Sequence, residues 1–421
     1  RSKRVNDIDL LKAAIIYGAN ASGKSCLINS MKFAQDFILK GTNVDSSIPL
    51  KKFKLNPESE SKPSRFEFEI KINNENYAYG FSLDYDRVLE EWLYQINKVT
   101  EKNIFERHTS EDGKIEIEFK NISFKNKKEE QFLNFIGLGT RPNQLFLTEC
   151  RQRNVFANVR NIDSISDTIR WFNNALTIVF PQSKFTGLEF AFEKSSNVAE
   201  SIKKFMKLFD TGIDDIELKP VDFNKIEDIP KEIKEDLLNR IKIKNKVLIT
   251  NDAKNITYAL SKDEKSQLKA YKLKSKHKIV DTEKYEYFEL NEESDGTQRL
   301  LDLIPALIDL FQDDRVFIID EFDRSLHPIL SNSFIDIFLE NTRDIKSQLI
   351  VTTHESSLLD LKRIRKDEIW FLEKNKLGES SLYSLEEFKP RFDKEIRKNY
   401  LLGRFGAVPN INTYNKEIII E

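Results

Sequence analysis

The sequence has few cysteines, almost no net charge and no long apolar run, and each of these absences excludes a class of protein. Cys26 and Cys150 are the only cysteines, too few for a disulfide framework or a zinc module, which suits a reducing cytosol. No apolar run approaches the roughly 18–20 residues of a membrane span, so we expect a cytoplasmic protein without membrane contact. The 67 basic and 69 acidic residues nearly cancel, so binding to nucleic acid would require a local patch.

A glycine-rich loop near the start carries the first chemical signal. The segment Gly18 to Ser25 reads GxxxxGKS; the apolar run Leu11–Tyr17 before it predicts a buried parallel strand, and the apolar spacing after it predicts a helix. In this context Lys24 would reach the β- and γ-phosphates of a nucleotide, and the Ser25 hydroxyl would ligate Mg²⁺. The predicted nucleotide-binding residues of the loop are Gly18, Asn20, Ala21, Ser22, Gly23, Lys24, Ser25 and Cys26.

A second segment supplies the carboxylates that such a loop needs. Val316–Ile319 is an apolar run followed directly by Asp320 and Glu321. Asp320 would hold Mg²⁺ through water, and Glu321 would act as the general base on the attacking water. Buried strands often end in a carboxylate, so this segment indicates a catalytic site only in combination with the phosphate loop. The two segments together predict hydrolysis of ATP, or GTP.

Two spacings connect these segments to ABC-type ATPases. His354 ends a predicted strand 34 residues after Asp320, where ABC-type ATPases have the switch histidine that contacts the γ-phosphate. Ser294 opens a predicted helix 26 residues before Asp320, where those proteins have their signature motif. The alternatives are a polar residue at a strand end for His354 and an ordinary helix cap for Ser294.

Several segments together resemble a known family. They are Ser294-Asp295-Gly296-Thr297-Gln298-Arg299, Asp320 to Pro328, Thr353-His354-Glu355, the tail Tyr400 to Pro409, and the phosphate loop. They resemble bacterial ABC/SMC-like ATPases of the abortive-infection and restriction-linked type, such as the AbiL and RloA ATPases and, more distantly, the OLD nuclease ATPase domain. The resemblance implies a cytoplasmic phage-defence ATPase that works with a separately encoded effector, often a Toprim-like nuclease.

The signature motif also implies an oligomer. In ABC-type proteins this motif closes over the γ-phosphate held by a partner subunit, so Ser294 and Gly296 predict an ATP-sandwich homodimer or a higher oligomer. The signature reads SDGT rather than SGGQ, and only these two residues carry over. His327 stands where transporters have the D-loop aspartate.

Two expected features of the family are harder to assign. The strand pair that normally precedes the phosphate loop is missing from the sequence, so the resemblance assigns no adenine contacts. A glutamine that contacts Mg²⁺ is expected between the strands and the helical region. Gln144 and Gln152 are the candidates.

The order of periodicities predicts an α/β fold, a P-loop NTPase of the ABC-type head class with an antiparallel β subdomain and a helical insertion. Apolar residues alternate over 64–125 and predict an antiparallel meander, whereas 160–245 has mostly helical spacing. The predicted boundaries are 1–63 for the N-terminal part of the core, 64–159 for the β subdomain, 160–245 for the helical insertion, 246–379 for the C-terminal core and 380–421 for a tail that serves packing or an interface.

One basic segment leaves contact with nucleic acid open. Its lysines are Lys265, Lys269, Lys272, Lys274, Lys276 and Lys278. Such a segment is usually the solvated rim of a hairpin, and the alternative is a surface for nucleic acid or a partner protein.

Three other functions are weighed against the defence ATPase. A RecF- or SMC-like ATPase for DNA repair or DNA loading is the main alternative, although no heptad pattern predicts a coiled-coil arm. A nuclease in the same chain is disfavoured, because 67 residues follow His354, too few for an ordinary Toprim domain. A GTPase is disfavoured because the sequence has no Asn-Lys-x-Asp motif.

Overall fold

The computed structural model describes residues 9–97, 99–193, 196–241, 246–251, 254–263, 267–312, 314–388 and 396–409. Their contacts divide the chain into two units. The first unit takes the described residues of Arg1–Val179, Asp314–Asp320 and Gln348–Glu421. The second unit takes those of Phe180–Asp313 and Glu321–Ser347.

Groups of strands and groups of helices follow one another along the described chain. The strands are β1 (Ala13–Tyr17), β2 (Ser64–Ile72), β3 (Glu75–Leu83), β4 (Val88–Ile96), β5 (Glu101–Thr109), β6 (Ile115–Phe119), β7 (Leu176–Val179), β8 (Asp215–Val221), β9 (Lys246–Asn251), β10 (Ile256–Lys262), β11 (Leu268–Lys278), β12 (Tyr285–Glu289), β13 (Val316–Ile319), β14 (Gln348–Thr353), β15 (Ile369–Lys374) and β16 (Ser380–Ser384). The helices are α1 (Lys24–Lys40), α2 (Glu58–Ser61), α3 (Lys127–Leu138), α4 (Phe146–Gln152), α5 (Asp163–Arg170), α6 (Leu188–Glu193), α7 (Asn197–Leu208), α8 (Lys231–Arg240), α9 (Asp295–Gln312), α10 (Pro328–Asn341) and α11 (Ile396–Leu401). Within the described ranges, no helix combines the length and the apolar composition needed to cross a membrane.

A mostly parallel sheet forms the core of the first unit. Its strand order is β16-β15-β1-β14-β13-β7. β1 pairs in parallel with β14 and β15, and β13 pairs in parallel with β14 and β7. All four residues of β13 are buried, as expected for a parallel strand covered on both faces. The α/β class predicted from the sequence is confirmed.

The predicted meander is present in the first unit as five antiparallel strands in the order β2-β3-β4-β5-β6. Asn73 and Asn74 form the first turn with φ values of 52° and 65°, a left-handed conformation that asparagine tolerates. Along β2, exposed residues alternate with less exposed ones. The period-two pattern of the sequence therefore identified this sheet correctly.

The C-terminal tail packs beside β1 and β15 in the first unit. The ring of Phe405 stacks on Phe371 at 5.7 Å, and the Tyr383 hydroxyl donates to the Phe405 carbonyl oxygen at 2.7 Å. Tyr400 meets Tyr17, the last residue of β1, at 5.4 Å between ring centroids. The described part of the tail therefore contributes to packing in the first unit.

The second unit contains an antiparallel sheet of order β12-β11-β10-β9, with β8 also paired to β11. A hydrophobic cluster that includes Phe223, Tyr258 and Leu260 covers part of this sheet. α9 packs against α7 through Phe311 and Phe205, whose rings lie 6.3 Å apart. α9 begins directly after Ser294, so the signature segment is fixed to a well-buried helix.

Two segments contain strands that the sequence did not predict. The region 160–245, predicted to be mostly helical, holds α5 to α8 and also β7 of the parallel core sheet and β8 of the second sheet. The basic segment is not a hairpin rim, because β11 runs through it and pairs with β10, β12 and β8. Lys265 lies outside the described residues.

Candidate functional site

The phosphate loop runs from the end of β1 to the start of α1 and permits little variation at its glycines. Gly23 has φ 107°, which L-residues rarely adopt, and an added side chain at Gly18 would meet the Leu372 carbonyl oxygen at 2.8 Å. Ala21 also has a positive φ of 63°. These backbone conformations and close approaches restrict the loop before the N-terminus of α1 to small residues.

The charges of this loop fit an anionic ligand. Lys24 is 6% exposed, and its ammonium donates to the Gly18 carbonyl oxygen at 2.7 Å and the Ala19 carbonyl oxygen at 3.2 Å. The first turn of α1 has no acidic residue, so nothing there offsets the positive end of the helix dipole. The buried Ser22 hydroxyl has no hydrogen-bond partner among the described residues. An anionic group such as a phosphate fits the positive charge and the backbone N–H groups at such a helix N-terminus.

The predicted Mg²⁺ carboxylate lies at the same edge of the sheet. Asp320 follows β13, is 2% exposed, and accepts a hydrogen bond from the Thr352 hydroxyl at 2.6 Å. Thr352 is on the neighbouring strand β14. A threonine inside an apolar strand has no local signal of function, so only the strand register could reveal it.

His354 lies beside the start of the phosphate loop. Tyr17 at the end of β1 pairs with Thr353 at the end of β14, so Gly18 and His354 follow paired positions. The side chain of His354 is exposed. The structure therefore brings the loop, Asp320 and His354 to the carboxyl ends of neighbouring parallel strands, where open α/β sheets bind their ligands.

Glu321 is the residue after Asp320 and belongs to the second unit. It is partly exposed and has φ 45°. A left-handed conformation costs a non-glycine residue about 1–3 kcal/mol and concentrates at functional positions. Ser325, four residues later, also has a positive φ of 62°.

The signature segment lies at the start of α9, and its residues make defined contacts there. The exposed Ser294 accepts a hydrogen bond from the Thr297 N–H at 3.2 Å, so it caps the helix. A side chain added at Gly296 would meet the Ser325 carbonyl oxygen at 2.9 Å, so this position requires glycine. His327 caps α10 by accepting from the Ile329 N–H at 3.2 Å. The Ser294 hydroxyl also lies 2.9 Å from the Thr297 hydroxyl, so both side chains belong to the helix cap.

The two glutamines predicted to contact Mg²⁺ are in the wrong place. Gln144 is fully buried and accepts from the Thr42 N–H at 2.9 Å, while the Gln152 amide donates to the Lys40 carbonyl oxygen at 3.1 Å. Both residues therefore lie at the C-terminal end of α1. That end is about 25 Å from the phosphate loop along a helix of 17 residues. The prediction is wrong because tertiary packing folds this segment against the far end of α1.

The topology offers Gln182 instead. Val179, the last residue of β7, pairs with Ile319, and its carbonyl oxygen accepts from the Asp320 N–H at 2.9 Å. Gln182 follows three residues later and is exposed. The signal in the sequence is the apolar run Leu176–Val179 followed by Phe-Pro-Gln, and the helical spacing around it hides so short a strand.

A family described as "AAA domain, putative AbiEii toxin, Type IV TA system" matches residues 13–360. No curated protein matches at a significant level.

Similar solved structures include SMC heads. One is an SMC head bound to the C-terminal winged-helix domain of ScpA, at 16% identity, TM-score 0.36, and coverage of 89% of this chain and 90% of the other. Another is the SMC head domain from Thermotoga maritima, at 14% identity, TM-score 0.31, and coverage of 88% and 89%. A third is the SMC head with an extended coiled coil bound to the C-terminal domain of ScpA from Pyrococcus furiosus, at 12% identity, TM-score 0.34, and coverage of 89% and 91%.

Proposed function

We propose that this chain binds ATP with Mg²⁺ and hydrolyses it. The chain belongs to the AAA-domain family described as putative AbiEii toxin of type IV TA systems. The observation that carries the proposal is the buried ammonium of Lys24, which turns into a glycine-lined loop at an unneutralised helix N-terminus. This is the chemistry that holds the phosphates of a nucleotide.

Different residues bind the phosphates of the nucleotide and the Mg²⁺ ion. The backbone N–H groups from Gly18 to Cys26 surround the phosphates, and Lys24 pairs with the β- and γ-phosphates. The Ser25 hydroxyl and the Asp320 carboxylate hold Mg²⁺, as hard oxygen ligands do. When bound, Mg²⁺ neutralises charge on the phosphate oxygens. Thr352 fixes one oxygen of Asp320, which orients the carboxylate.

Hydrolysis requires a base and a donor near the γ-phosphate. Glu321 takes a proton from the attacking water, whose oxygen bonds to the γ-phosphorus while the bond to the β–γ bridging oxygen breaks and ADP leaves. His354 donates a hydrogen bond to the γ-phosphate. Gln182 follows β7, the strand next to β13, and it is the glutamine that would orient the water and contact Mg²⁺.

The signature segment completes the site of a second copy. Ser294 and Gly296 present an exposed hydroxyl and a close backbone at the N-terminus of α9, an anion-binding arrangement. In the proposed head-to-tail homodimer they close over the γ-phosphate held by the partner subunit. ATP binding then closes the dimer, and hydrolysis opens it.

We propose that this cycle controls a separately encoded effector, a nuclease by the resemblance, in bacterial anti-phage defence in the cytoplasm. The toxin–antitoxin description of the family supports the defence role. The alternative is a RecF- or SMC-like ATPase that acts on DNA. Co-purification with the products of neighbouring genes, with and without ATP, separates the two: an effector supports defence, whereas a recombination or replication protein supports the alternative.

Hydrolysis is tested with two variants and their matched controls. Lys24→Ala should lose nucleotide binding, whereas Lys40→Ala, on the exposed far end of the same helix, should keep it. Glu321→Gln should bind ATP and hydrolyse it about 10²–10⁴-fold more slowly, as expected from loss of a general base. Glu340→Gln, an exposed carboxylate of α10, should match the wild type. Wild-type protein that binds Mg·ATP without releasing phosphate, or Glu321→Gln at the wild-type rate, would contradict the proposal.

A further inference from the structure

The hairpin of β15 and β16 lies directly against the phosphate loop, and both belong to the first unit. β15 pairs in parallel with β1, and β16 follows at the edge of the sheet. A side chain added at Gly18 would meet the Leu372 carbonyl oxygen at 2.8 Å, and one added at Gly23 would collide with the Ser380 hydroxyl. The hairpin therefore contacts the loop at both glycines of the motif.

One hydroxyl of this hairpin holds the second half of the loop. Ser380, the first residue of β16, donates through its side chain to the Ser22 carbonyl oxygen at 2.7 Å. Lys24 holds the first half, since its ammonium donates to the carbonyl oxygens of Gly18 and Ala19. Ser380 and Ser22 are 358 positions apart in the chain, so only the folded sheet brings them together. Different side chains thus fix the two halves of the loop, and the sequence motif contains only one of them.

The hydrogen bond from Ser380 also sets the direction of a neighbouring donor. A trans peptide group is planar, so its carbonyl oxygen and its N–H point to opposite sides. Because the Ser22 carbonyl oxygen points to β16, the Gly23 N–H of the same peptide group points away from β16. Gly23 is the N-cap of α1, and the first N–H groups of a helix have no partner within the helix. Ser380 therefore orients one of the donors that a phosphate at this helix N-terminus would accept from.

The turn before Ser380 is closed by its own hydrogen bonds. The Asn375 side-chain oxygen accepts from the N–H groups of Leu377 and Glu379 at 2.9 Å and 3.0 Å. The Asn375 N–H donates to the Glu379 carbonyl oxygen at 2.8 Å, and Gly378 provides the left-handed position with φ 83°. Ser380 follows this turn directly, so the backbone that carries its hydroxyl has a defined position.

We propose that Ser380 is a positioning residue of the phosphate loop, which orients the peptide group between Ser22 and Gly23 so that the Gly23 N–H donates to the nucleotide. Without this hydroxyl the peptide group can rotate, and ordering it adds to the free-energy cost of binding. The backbone N–H groups of such a loop hold the α- and β-phosphates, so ADP and ATP depend on Ser380 to the same extent. The inference rests on the proposed function, since it assigns this loop to a nucleotide.

Nucleotide binding and turnover test the role of the hydroxyl. Ser380→Ala should raise the Kd for Mg·ADP in calorimetry and the KM for ATP about fivefold each, as expected from the loss of one hydrogen bond that orders the site. The value of kcat should stay nearly unchanged, because the N–H contact is made before and during the reaction alike. Ser380→Thr keeps a hydroxyl and should restore the wild-type values.

Ser381→Ala is the matched control for these measurements. The exposed side chain of Ser381 is the next one on β16 and lies on the opposite face of the sheet, so its loss should leave Kd, KM and kcat unchanged. Ser380→Ala with the wild-type Kd and KM overturns the inference. A lower kcat at an unchanged KM in Ser380→Ala overturns it as well.

A second measurement needs no nucleotide. Hydrogen exchange of a peptide covering residues 18–27 reports on the N–H groups of Ser22 and Leu27, which donate within the loop and the first turn of α1 at 3.2 Å and 2.9 Å. In Ser380→Ala this peptide should exchange about fivefold faster than in the wild type, because the loop opens more easily, whereas Ser381→Ala should match the wild type. Unchanged exchange in Ser380→Ala overturns the inference, whether or not the protein binds a nucleotide. A wild-type protein that binds neither ADP nor ATP refutes the proposed function instead, and the exchange experiment then decides whether Ser380 holds the loop.

Discussion

Two buried charges secure the segment that covers the far end of α1. Glu91 is 1% exposed and accepts hydrogen bonds from the N–H groups of Phe146 and Leu147 at 2.6 Å and 3.1 Å. Arg107, fully buried, lies 3.5 Å from Glu91 and donates to the Gln144 carbonyl oxygen at 3.0 Å. Burial raises the pKa of the Glu91 carboxyl, opposed by Arg107 and the two amides. The pair therefore joins the meander to α4, and the Thr148 hydroxyl of α4 donates to the Ile38 carbonyl oxygen of α1 at 2.8 Å.

Removing one member of this pair should be costly. Glu91→Ala leaves the Arg107 guanidinium buried without its counter-charge, and we expect a loss of about 3–5 kcal/mol in the free energy of unfolding. Glu90→Ala is the matched control, because the side chain of Glu90, the residue before Glu91, is 46% exposed. Urea unfolding of the two variants and the wild type provides the measurement. A loss below about 1 kcal/mol in Glu91→Ala would show that the surroundings rearrange to satisfy Arg107.

At the scale of elements, β11 shows how a basic stretch can serve a sheet rather than a ligand. Lys272 and Lys274 both pair with Glu289 of β12, and Lys276 pairs with Glu217 of β8 at 3.2 Å. Lys276 also lies over the Tyr285 ring at 4.2 Å. These cross-strand pairs stabilise the sheet. They also make each phosphate contact compete with a carboxylate, which disfavours this face as a nucleic-acid surface.

Charge reversal on β11 tests that interpretation. Lys276→Glu places like charges beside Glu217 and should lower the thermal midpoint by a few degrees. Lys204→Glu, on the exposed face of α7, should not. The hydrogen bond from Lys219 lowers the pKa of Glu217. The ionised Glu217 carboxylate therefore stabilises the fold above the ordinary glutamate pKa, and this stabilisation is lost as the pH falls. The difference in thermal midpoint between Lys276→Glu and the wild type should therefore become smaller in acid. Loss of DNA or RNA retention at an unchanged midpoint would favour the binding surface instead.

The sequence predicted elements whose pattern is local and missed those that tertiary contacts decide. β1, α1 and the meander have clear apolar periods, and the loop residues of the site follow from a motif. β7 has four residues after a π-helical turn at Trp171–Ala175, and so short an apolar run cannot be told from a helix. The lysines of β11 made this strand resemble a solvated surface segment, because their partners Glu217 and Glu289 lie on other strands. Thr352 and Gln182 gain their meaning only from strand order, which periodicity does not reveal.

At the scale of the whole molecule, the proposed site needs two copies of the chain, one for the phosphate loop and one for the signature. Oligomer formation should therefore follow the nucleotide. With ATP and Mg²⁺, the slowly hydrolysing Glu321→Gln variant should elute as a dimer, because closure persists until hydrolysis. Ser294→Arg blocks the exposed face at the start of α9, so it should bind ATP and stay monomeric. If Glu321→Gln remained a monomer under these conditions, the sandwich would be ruled out.

A mixture of two inactive variants gives the decisive form of this test. Lys24→Ala lacks a working phosphate loop but keeps its signature, whereas Ser294→Arg keeps the loop and lacks the signature. Each alone should be inactive, but a heterodimer of the two has one complete site, so an equal mixture should recover about a quarter of the wild-type rate if the sites act independently. The matched control mixes Lys24→Ala with Glu321→Gln, where neither site is complete, and should stay inactive. Activity in neither mixture would mean that the two motifs act within one chain, and equal activity in both would mean that Glu321 is not the base.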